Sequence, residues 1–488
     1  MMNGKLRIKE RGQLSIVVLI FGFLGIIILS GLVLWVDLNL RSAYRNIHLD
    51  TSFRIAEAGI EYYRWHLAHA PLDFKDGTGQ PGPYIHNYYD RLGNLIGKFE
   101  LTITPPTVGS TVVTIKSKGT VEGVPGVEKI IEVKMAKPSF AKFAAVLNDN
   151  VRFGSGTEVF GQIHSNGGIR FDGLAHNIVT SAQTTYDDPD HSGSNEYGVH
   201  THVAPIDPIP SGNPIPSPPV RADVFIAGRQ ISVPAVDFVG ITQSLAQIKT
   251  DAQASGSYFG PSGSNGYDVV LRVNDTFDIY RVNTLVNPPS GCTNYLNQSG
   301  WGTWSINTET FIGNYPIPVN GLIFVEDNVW VRGQIDGNGA RVTVASGRFP
   351  DNPATRSSIN VTADLLYTNY DGSDVIALIA QNNINIGMVS DTDLRIDAAL
   401  IAQNGRVGRY YYRPPGGGSN RCSPHHTKTT ITSYGMIGSY QRYGFAYTDG
   451  NGYQNRNLIY DSYLLYGPPP SFPLTSDYYE QISWSEVK

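Results

Sequence analysis

Carboxylates recur at Asp391, Asp393 and Asp397, a spacing that an extended strand can turn toward one face. Glycoside hydrolysis uses two such carboxyls about 5–9.5 Å apart, one of them held protonated. A membrane-anchored, polysaccharide-active enzyme is therefore one reading of the chain. Turn-forming and solvated roles explain the same three residues equally well, and they are the preferred reading. His200 and His202 flank a single threonine, so a strand would carry both imidazoles on one side, as a metal pair requires; His425 and His426 stand near Cys422. No further ligand follows at a diagnostic spacing, and these histidines read as polar loop residues. Asp275, Asp327 and Asp336 could meet a calcium ion, but neither an EF-hand nor a calcium-binding nonapeptide repeat is present. There is no GxSxG, HExxH, P-loop or dinucleotide fingerprint. The expectation is a non-enzyme, with no catalytic residue, no cofactor and no metal.

The two cysteines, Cys292 and Cys422, are too few for a disulfide scaffold or a multi-cysteine zinc site. One long-range disulfide and two separate buried thiols both stay open. A net charge of -5 leaves no basic surface to neutralise a nucleic-acid backbone, which excludes nucleic acid as an expected partner. Across 488 residues, 52 Gly and 30 Pro break the chain into short segments, favouring many strands and turns in several domains or an elongated repeat.

The elements that would carry these residues begin with an apolar run. No charge occurs between Gln13 and Val36, and LSIVVLIFGFLGIIILSGLVLWV would span about 34 Å as a helix, enough to cross a bilayer core. Lys5, Arg7, Lys9 and Arg11 precede it, which keeps the short N-terminus inside and everything beyond outside the cytoplasm. The run is too long for the apolar region of a cleaved secretory signal. Beyond it, residues 40–70 hold no Gly or Pro except Gly59, and helical spacing of Leu40, Ile47, Phe53, Ile60 and Leu67 extends one helix from about Leu14 to Ala68.

A basic leader ending Lys9-Glu10-Arg11-Gly12, a polar Gln13, the apolar run and the segment Ala56-Glu57-Ala58-Gly59-Ile60-Glu61 together resemble type IV pilin-like proteins, in particular PilX-type minor pilins. The resemblance covers about the first 70 residues. It implies that prepilin peptidase cuts after Gly12, leaving Gln13 as the new N-terminus, and that the helix packs among other pilin-like subunits with the pilus assembly machinery. Major pilins carry Glu at the fifth mature position, where this chain has Val17. That departure points to an accessory or tip subunit. An uncleaved anchor is the alternative.

Three alternating runs, 97–104, 111–120 and 127–133, follow the helix, with Phe99, Leu101 and Ile103 set against Glu100, Thr102 and Thr104. A small antiparallel sheet covering the helix is the expected arrangement. After Pro138 short Val/Ile-rich runs alternate with Asn, Asp and Gly. The string ALIAQN beginning at Ala377 returns 22 residues later at Ala399, which would set Ala380, Gln381 and Asn382 against Ala402, Gln403 and Asn404. A weaker echo joins Asn148–Gly154 to Glu326–Gly333. Such a period suits stacked coils with apolar residues inside and asparagine ladders at the bends. The distal region also loosely resembles surface β-solenoids carried on pilin-like N-termini. A β-sandwich is the competing architecture.

The expected fold is mainly β: a basic leader (1–12), a transmembrane helix (13–36), a pilin-like α+β module (37–137), a right-handed parallel β-helix-like domain (138–428) and a Tyr/Gly-rich end (429–488). The β-helix is interrupted at about 183–260 by a proline-rich surface excursion and a helix over 235–254, with Phe238, Ile241, Leu245 and Ile248 on one face. The C-terminal tyrosines are expected to pack along the solenoid, and 479–488 to return as a final strand. The expected function is that of a single-pass, pilus-associated or adhesive surface protein whose ectodomain could meet a surface ligand or polysaccharide.

Overall fold

The computed structural model describes residues 11–106, 110–238, 240–335 and 338–487, so the leader residues 1–10 and Asp336 lie outside the described residues. The chain divides into two units, one of Met1–Pro105, Val113–Lys134 and Ser483–Lys488, the other of Pro106–Val112 and Met135–Ile482.

In the first unit, helix α1 (Arg11–His69) runs unbroken for 59 residues. Its N-terminal half exposes Leu, Ile, Val and Phe all round, whereas Ile55, Ala56, Ile60, Tyr63 and Leu67 are buried. Leu40 and Ile47, expected on the covered stripe, are exposed. The sheet reaches only the last turns, and there the covered face is set by Ile55, Ala56 and Tyr63 as much as by Ile60 and Leu67. Strands Tyr84–Tyr89, Leu95–Thr104, Val113–Val121 and Glu128–Ala136 follow in sheet order, and Glu480–Val487 joins as the fifth. The first three pair antiparallel, with Leu101 opposite Ser117 and Ile103 opposite Ile115. Alternation buries Phe99 and Leu101, with Val113 and Ile115, toward the helix. Glycines permit the close approach. A Cβ on Gly119 would lie 2.0 Å from the Ser52 carbonyl oxygen, and one on Gly59 2.3 Å from Ser117 Oγ.

The second unit is dominated by parallel pairing. Leu322–Val325, Arg341–Ser346, Val375–Ala380, Asp393–Ala402 and Thr427–Ser439 lie side by side in that order. The ALIAQN repeat sits in the expected register, Leu378 opposite Leu400 and Ala380 opposite Ala402. Side chains alternate between two apolar clusters. Ile376, Leu378 and Ala380 join one core with Ile323, Leu400 and Ile431, while Val375, Ala377 and Ile379 join a second with Phe324 and Ile401. Burial on both faces explains why these strands are continuous apolar runs. The second face is covered by α2 (Gly240–Ser255) through Leu245, Ile248 and Ala252. The helix starts later than its periodicity suggests because Asn166 brackets Val236, its side chain accepting from the backbone N–H and donating to the carbonyl at 2.8 Å each. Phe238 is buried in the same cluster but precedes the helix, and the Ile241 side chain lies outside the described residues.

The order of the ladder departs from the order of the chain. Phe143–Leu147 pairs with Thr427–Ser439, Ile437 opposite Ala145, and the ladder continues through Gln162–Ser165, Val179–Ser181 and Arg229–Gln230. Two runs of parallel strands therefore meet in mid-stack. A further ladder sets Ile359–Val361 beside Ile384–Ile386, where Asn385 donates to Asn360 Oδ1 at 3.0 Å, a short asparagine ladder. Gly266–Arg272 joins the parallel ladder beside Val329–Gln334, and Thr276–Leu285 and Ile306–Pro316 extend it antiparallel.

The proline-rich excursion is pinned by buried ion pairs. Arg229 and Arg221 converge on Asp207, and their remaining N–H groups donate to the carbonyls of Val199, Val203, Pro205 and Pro219. Guanidinium forks thus satisfy carbonyls that a segment short of N–H donors leaves outside any ladder. Cys292 and Cys422 form a disulfide across 130 residues, packed with Met388, Tyr410 and Tyr412. Of the C-terminal tyrosines Tyr453 is fully buried and Tyr434, Tyr443 and Tyr460 pack against the cores, whereas Tyr463, Tyr466 and Tyr478 are exposed. The segment 467–472 lies along strand Arg341–Ser346, its carbonyls accepting from Arg341 and from Thr343 Oγ1.

Candidate functional site

The densest collection of chemically competent side chains lies where the excursion leaves the stack. Strand Val199–His200 runs parallel to Ile169–Phe171, placing His200 beside Arg170, and the short hairpin of Thr185–Tyr186 with Glu196–Tyr197 sets Tyr186 opposite Glu196. Asp188 follows the first hairpin strand and closes a turn by accepting from the backbone N–H of Asp190 through Oδ1. One ligating atom from each of Asp188, Glu196, His200 and His202 falls within 4.8 Å of every other. Among the described residues no second group of this kind is found.

His200 Nε2 lies 2.5 Å from Glu196 Oε2 and 3.6 Å from Asp188 Oδ2; His202 Nε2 lies 2.8 Å from Glu196 Oε1. The His200 side chain is 1% exposed, those of Asp188 and Glu196 are 3% and 8%, and that of His202 is 12%. His191, 44% exposed, stands at the mouth with Nδ1 3.4 Å from Glu196 Oε1. The backbone N–H of His202 donates to Asp172, which also pairs with Arg170. The pair His200/His202, expected to be ordinary loop histidines, is thus brought together with two carboxylates. Asp188, Glu196 and His191 had no signal in the sequence beyond their place in a polar turn-rich stretch.

The other candidate residues are dispersed or already engaged. Asp397 is buried, accepting from Tyr370 Oη at 2.5 Å, from Arg395 Nε at 2.8 Å and from the Tyr367 backbone at 3.2 Å. Burial pushes its carboxyl up, against the pull of Tyr370 and Arg395. Asp391 and Asp393 are exposed. Asp275 occupies a hairpin turn with φ of 57°, and Asp327 is used by Ser262 and Arg348. His425 is held toward neutrality by burial and by Lys428 and Arg409, His426 by burial and by Arg409 against the pull of Asp449, and Cys422 beside them is committed to its disulfide.

A carboxyl pair with no sequence signal appears elsewhere. Arg332 bridges Asp268 at 2.8 Å and Glu309 at 3.3 Å, with Asp268 fully buried. Burial pushes the Asp268 carboxyl well above the usual carboxylate range, Arg332 opposes it, and the neighbouring Glu309 reinforces it. Residues 41 positions apart meet there because the two antiparallel hairpins fold them side by side.

Helix α1 is, among the described residues, the one helix long and apolar enough to cross a membrane; its most apolar window has a mean hydropathy of 3.0 and none of it is buried. Gly12 and Gln13 lie in its first turn. A single N-terminal apolar helix of this kind is consistent with a single-pass membrane anchor.

No family model and no curated protein sequence matches this chain. Among solved structures, the chain is similar to the crystal structure of the competence-associated pilin ComZ from Thermus thermophilus, at 11% identity over 90% of this chain and 98% of that one, with a TM-score of 0.29. That score is too low for the likeness to assign this chain a fold.

Proposed function

We propose that this chain is a PilX-type, minor-pilin-like surface protein: its helix inserts in the cytoplasmic membrane or among pilin-like subunits, and its large β unit is displayed outside the cytoplasm for pilus assembly or adhesion. The observation that carries this reading is the single helix Arg11–His69, apolar and exposed through its first half and sheet-packed through its second. An ordinary signal anchor needs only the first half. A filament subunit needs both, because the exposed half must pack on neighbours while the covered half fixes the sheet. The AEAG segment has a physical role in this reading, since Gly59 lets the helix approach Phe99 and Ser117.

The second unit is read as a parallel β-helix-like solenoid. Its long parallel ladders, the in-register ALIAQN repeat and the Asn360/Asn385 pair support that reading over a sandwich of antiparallel sheets. Its role is structural and interactive, with no catalytic residue assigned. Asp397, the best placed of the expected carboxylates, is occupied by Tyr and Arg donors rather than open to a substrate.

The test is the N-terminus of the protein extracted from membranes with and without prepilin peptidase. Cleavage after Gly12, exposing Gln13, and its loss in Gly12→Val are expected. An intact Met1 or Met2 start in the presence of the peptidase would overturn the pilin reading.

A further inference from the structure

We propose that Asp188, Glu196, His200 and His202 bind one divalent transition-metal ion of the zinc class, which fastens the loop 188–196 to the strand Val199–His200. The proposal is independent of how the N-terminus is processed.

Two observations carry it. The first is convergence: four side chains from three local segments present one donor each within a 4.8 Å sphere of separations. The second is the state of those donors. Neither His200 Nδ1 nor Nε2 makes a hydrogen bond, although the ring is 1% exposed, and Asp188 Oδ2 and Glu196 Oε2 make none either. The short Nε2 to Oε2 approach of 2.5 Å is a contact without hydrogen-bond direction. Buried polar atoms are nearly always hydrogen-bonded, and an imidazole facing carboxylate oxygens at contact distance but outside hydrogen-bond geometry is what a ligand set presents around an ion.

Charge balance points the same way. Asp188 and Glu196 bring two negative charges into a site with little water, and unpaired buried charge is costly. The nearest guanidinium, Arg170, lies 3.6 Å from Asp188 and is already paired with Asp172 at 2.7 Å. A divalent ion held by two neutral imidazoles and two carboxylates leaves no net charge.

The donors also select the ion. Imidazole favours zinc, nickel, cobalt or copper over calcium or magnesium, which prefer oxygen alone. Both cysteines are in the disulfide, so no thiolate competes. Zinc bonds of about 2.0–2.2 Å place tetrahedral ligands roughly 3.4 Å apart. The widest donor separation, 4.8 Å at most, would close by up to about 1.4 Å, while the His200–Glu196 contact of 2.5 Å would open by about 0.9 Å. Four protein ligands make a closed, structural site rather than a catalytic one. Bound there, the ion joins the turn after Tyr186, the hairpin strand bearing Glu196 and the stack strand bearing His200, so both ends of the loop 188–196 are tied to Ile169–Phe171.

The experiment uses the full chain in detergent, carrying no histidine tag, stripped with chelator and titrated with zinc chloride by calorimetry, with retained metal measured by elemental mass spectrometry. One zinc per chain is expected, unaffected by calcium, together with slower proteolysis within 188–196. His202→Ala and Glu196→Gln should each weaken binding at least ~10–100-fold. His176→Ala, altering a histidine stacked on Phe160 away from the cluster, should bind as the parent does. Circular dichroism of each metal-free variant checks folding, and His202 is the choice because its ring is partly exposed. Failure of the parent chain to retain zinc would overturn the proposal. So would parent-like affinity in a folded His202→Ala, since zinc would then sit elsewhere.

Discussion

Gly119→Ala separates packing from intrinsic preference by the sign of its effect. Alanine is ordinarily better than glycine inside a strand by about 0.5–1 kcal/mol. In this strand the new Cβ would lie 2.0 Å from the Ser52 carbonyl oxygen and 2.6 Å from the Ala56 backbone nitrogen, with no positive φ involved. Both obstacles are backbone atoms of α1, so no rotamer change relieves them. Ordinary contact begins near 3.4 Å, and the helix must therefore retreat by about 1.4 Å. That gap opens beneath Ile55, Ala56, Ile60, Tyr63 and Leu67, all at most 4% exposed. A radial gap of about 1 Å forfeits up to half of a contact's attraction. Their burial is worth roughly 8–10 kcal/mol together, and losing about a quarter to a third costs ~2–3 kcal/mol. Subtracting the intrinsic gain leaves a net loss of about 2 kcal/mol, within the range for overpacked cores.

Since the chain has two units, global melting is a poor probe, and hydrogen exchange of peptides covering 52–67 and 113–121 is the assay. A loss of about 2 kcal/mol corresponds to roughly 30-fold faster opening-limited exchange in both segments. Gly154→Ala, where a Cβ meets nothing within 4 Å, should leave exchange unchanged and serves as the control. Unchanged or slower exchange in Gly119→Ala would refute the close-packed helix–sheet contact and with it the physical reading of the AEAG segment.

Replacing Cys292 and Cys422 together by Ser opens a link across 130 residues and should cost about 2–4 kcal/mol, read as a lower urea midpoint in the tyrosine near-ultraviolet signal; an unmoved midpoint would show that the surrounding Tyr410/Tyr412 packing suffices. The Asp268 carboxyl is held above its unfolded value, mainly by burial, so it is protonated in the fold when it would be ionised in the open chain. Its contribution to stability is full below the ordinary carboxylate range and is lost as pH rises through the raised folded value. Asp268→Asn should therefore flatten the fall in urea midpoint between about pH 4 and about pH 7, and identical slopes in the two proteins would contradict the assignment.

How far each feature could be read from sequence follows from the separation of the residues that make it. The anchor helix depends on composition along one continuous stretch, and Leu14 to Ala68 sufficed to predict nearly its full extent. The pairing of Ala377–Ala380 with Ala399–Ala402 was legible because neighbouring strands of one stack bury similar side chains in the same register. The junction of Ile437 with Ala145 was not, since two strands joined across nearly the whole β unit share no repeat. The candidate metal centre lies between these limits. His200 and His202 were visible as a pair because two residues apart on an extended chain is one face. Their carboxylate partners arrive by another route: Glu196 through a hairpin register opposite Tyr186, and Asp188 through the turn that follows it. In the linear chain Asp188 and Glu196 bound a stretch of Asp, Pro, Ser and Gly that reads equally well as solvated loop. What distinguishes a ligand from a turn residue there is burial, 3% and 8% for the two carboxylates, and burial is a property of the folded chain. The candidate site thus depends on long-range pairing for His200, which the strand Val199–His200 sets beside Arg170, and on local structure for its two carboxylates.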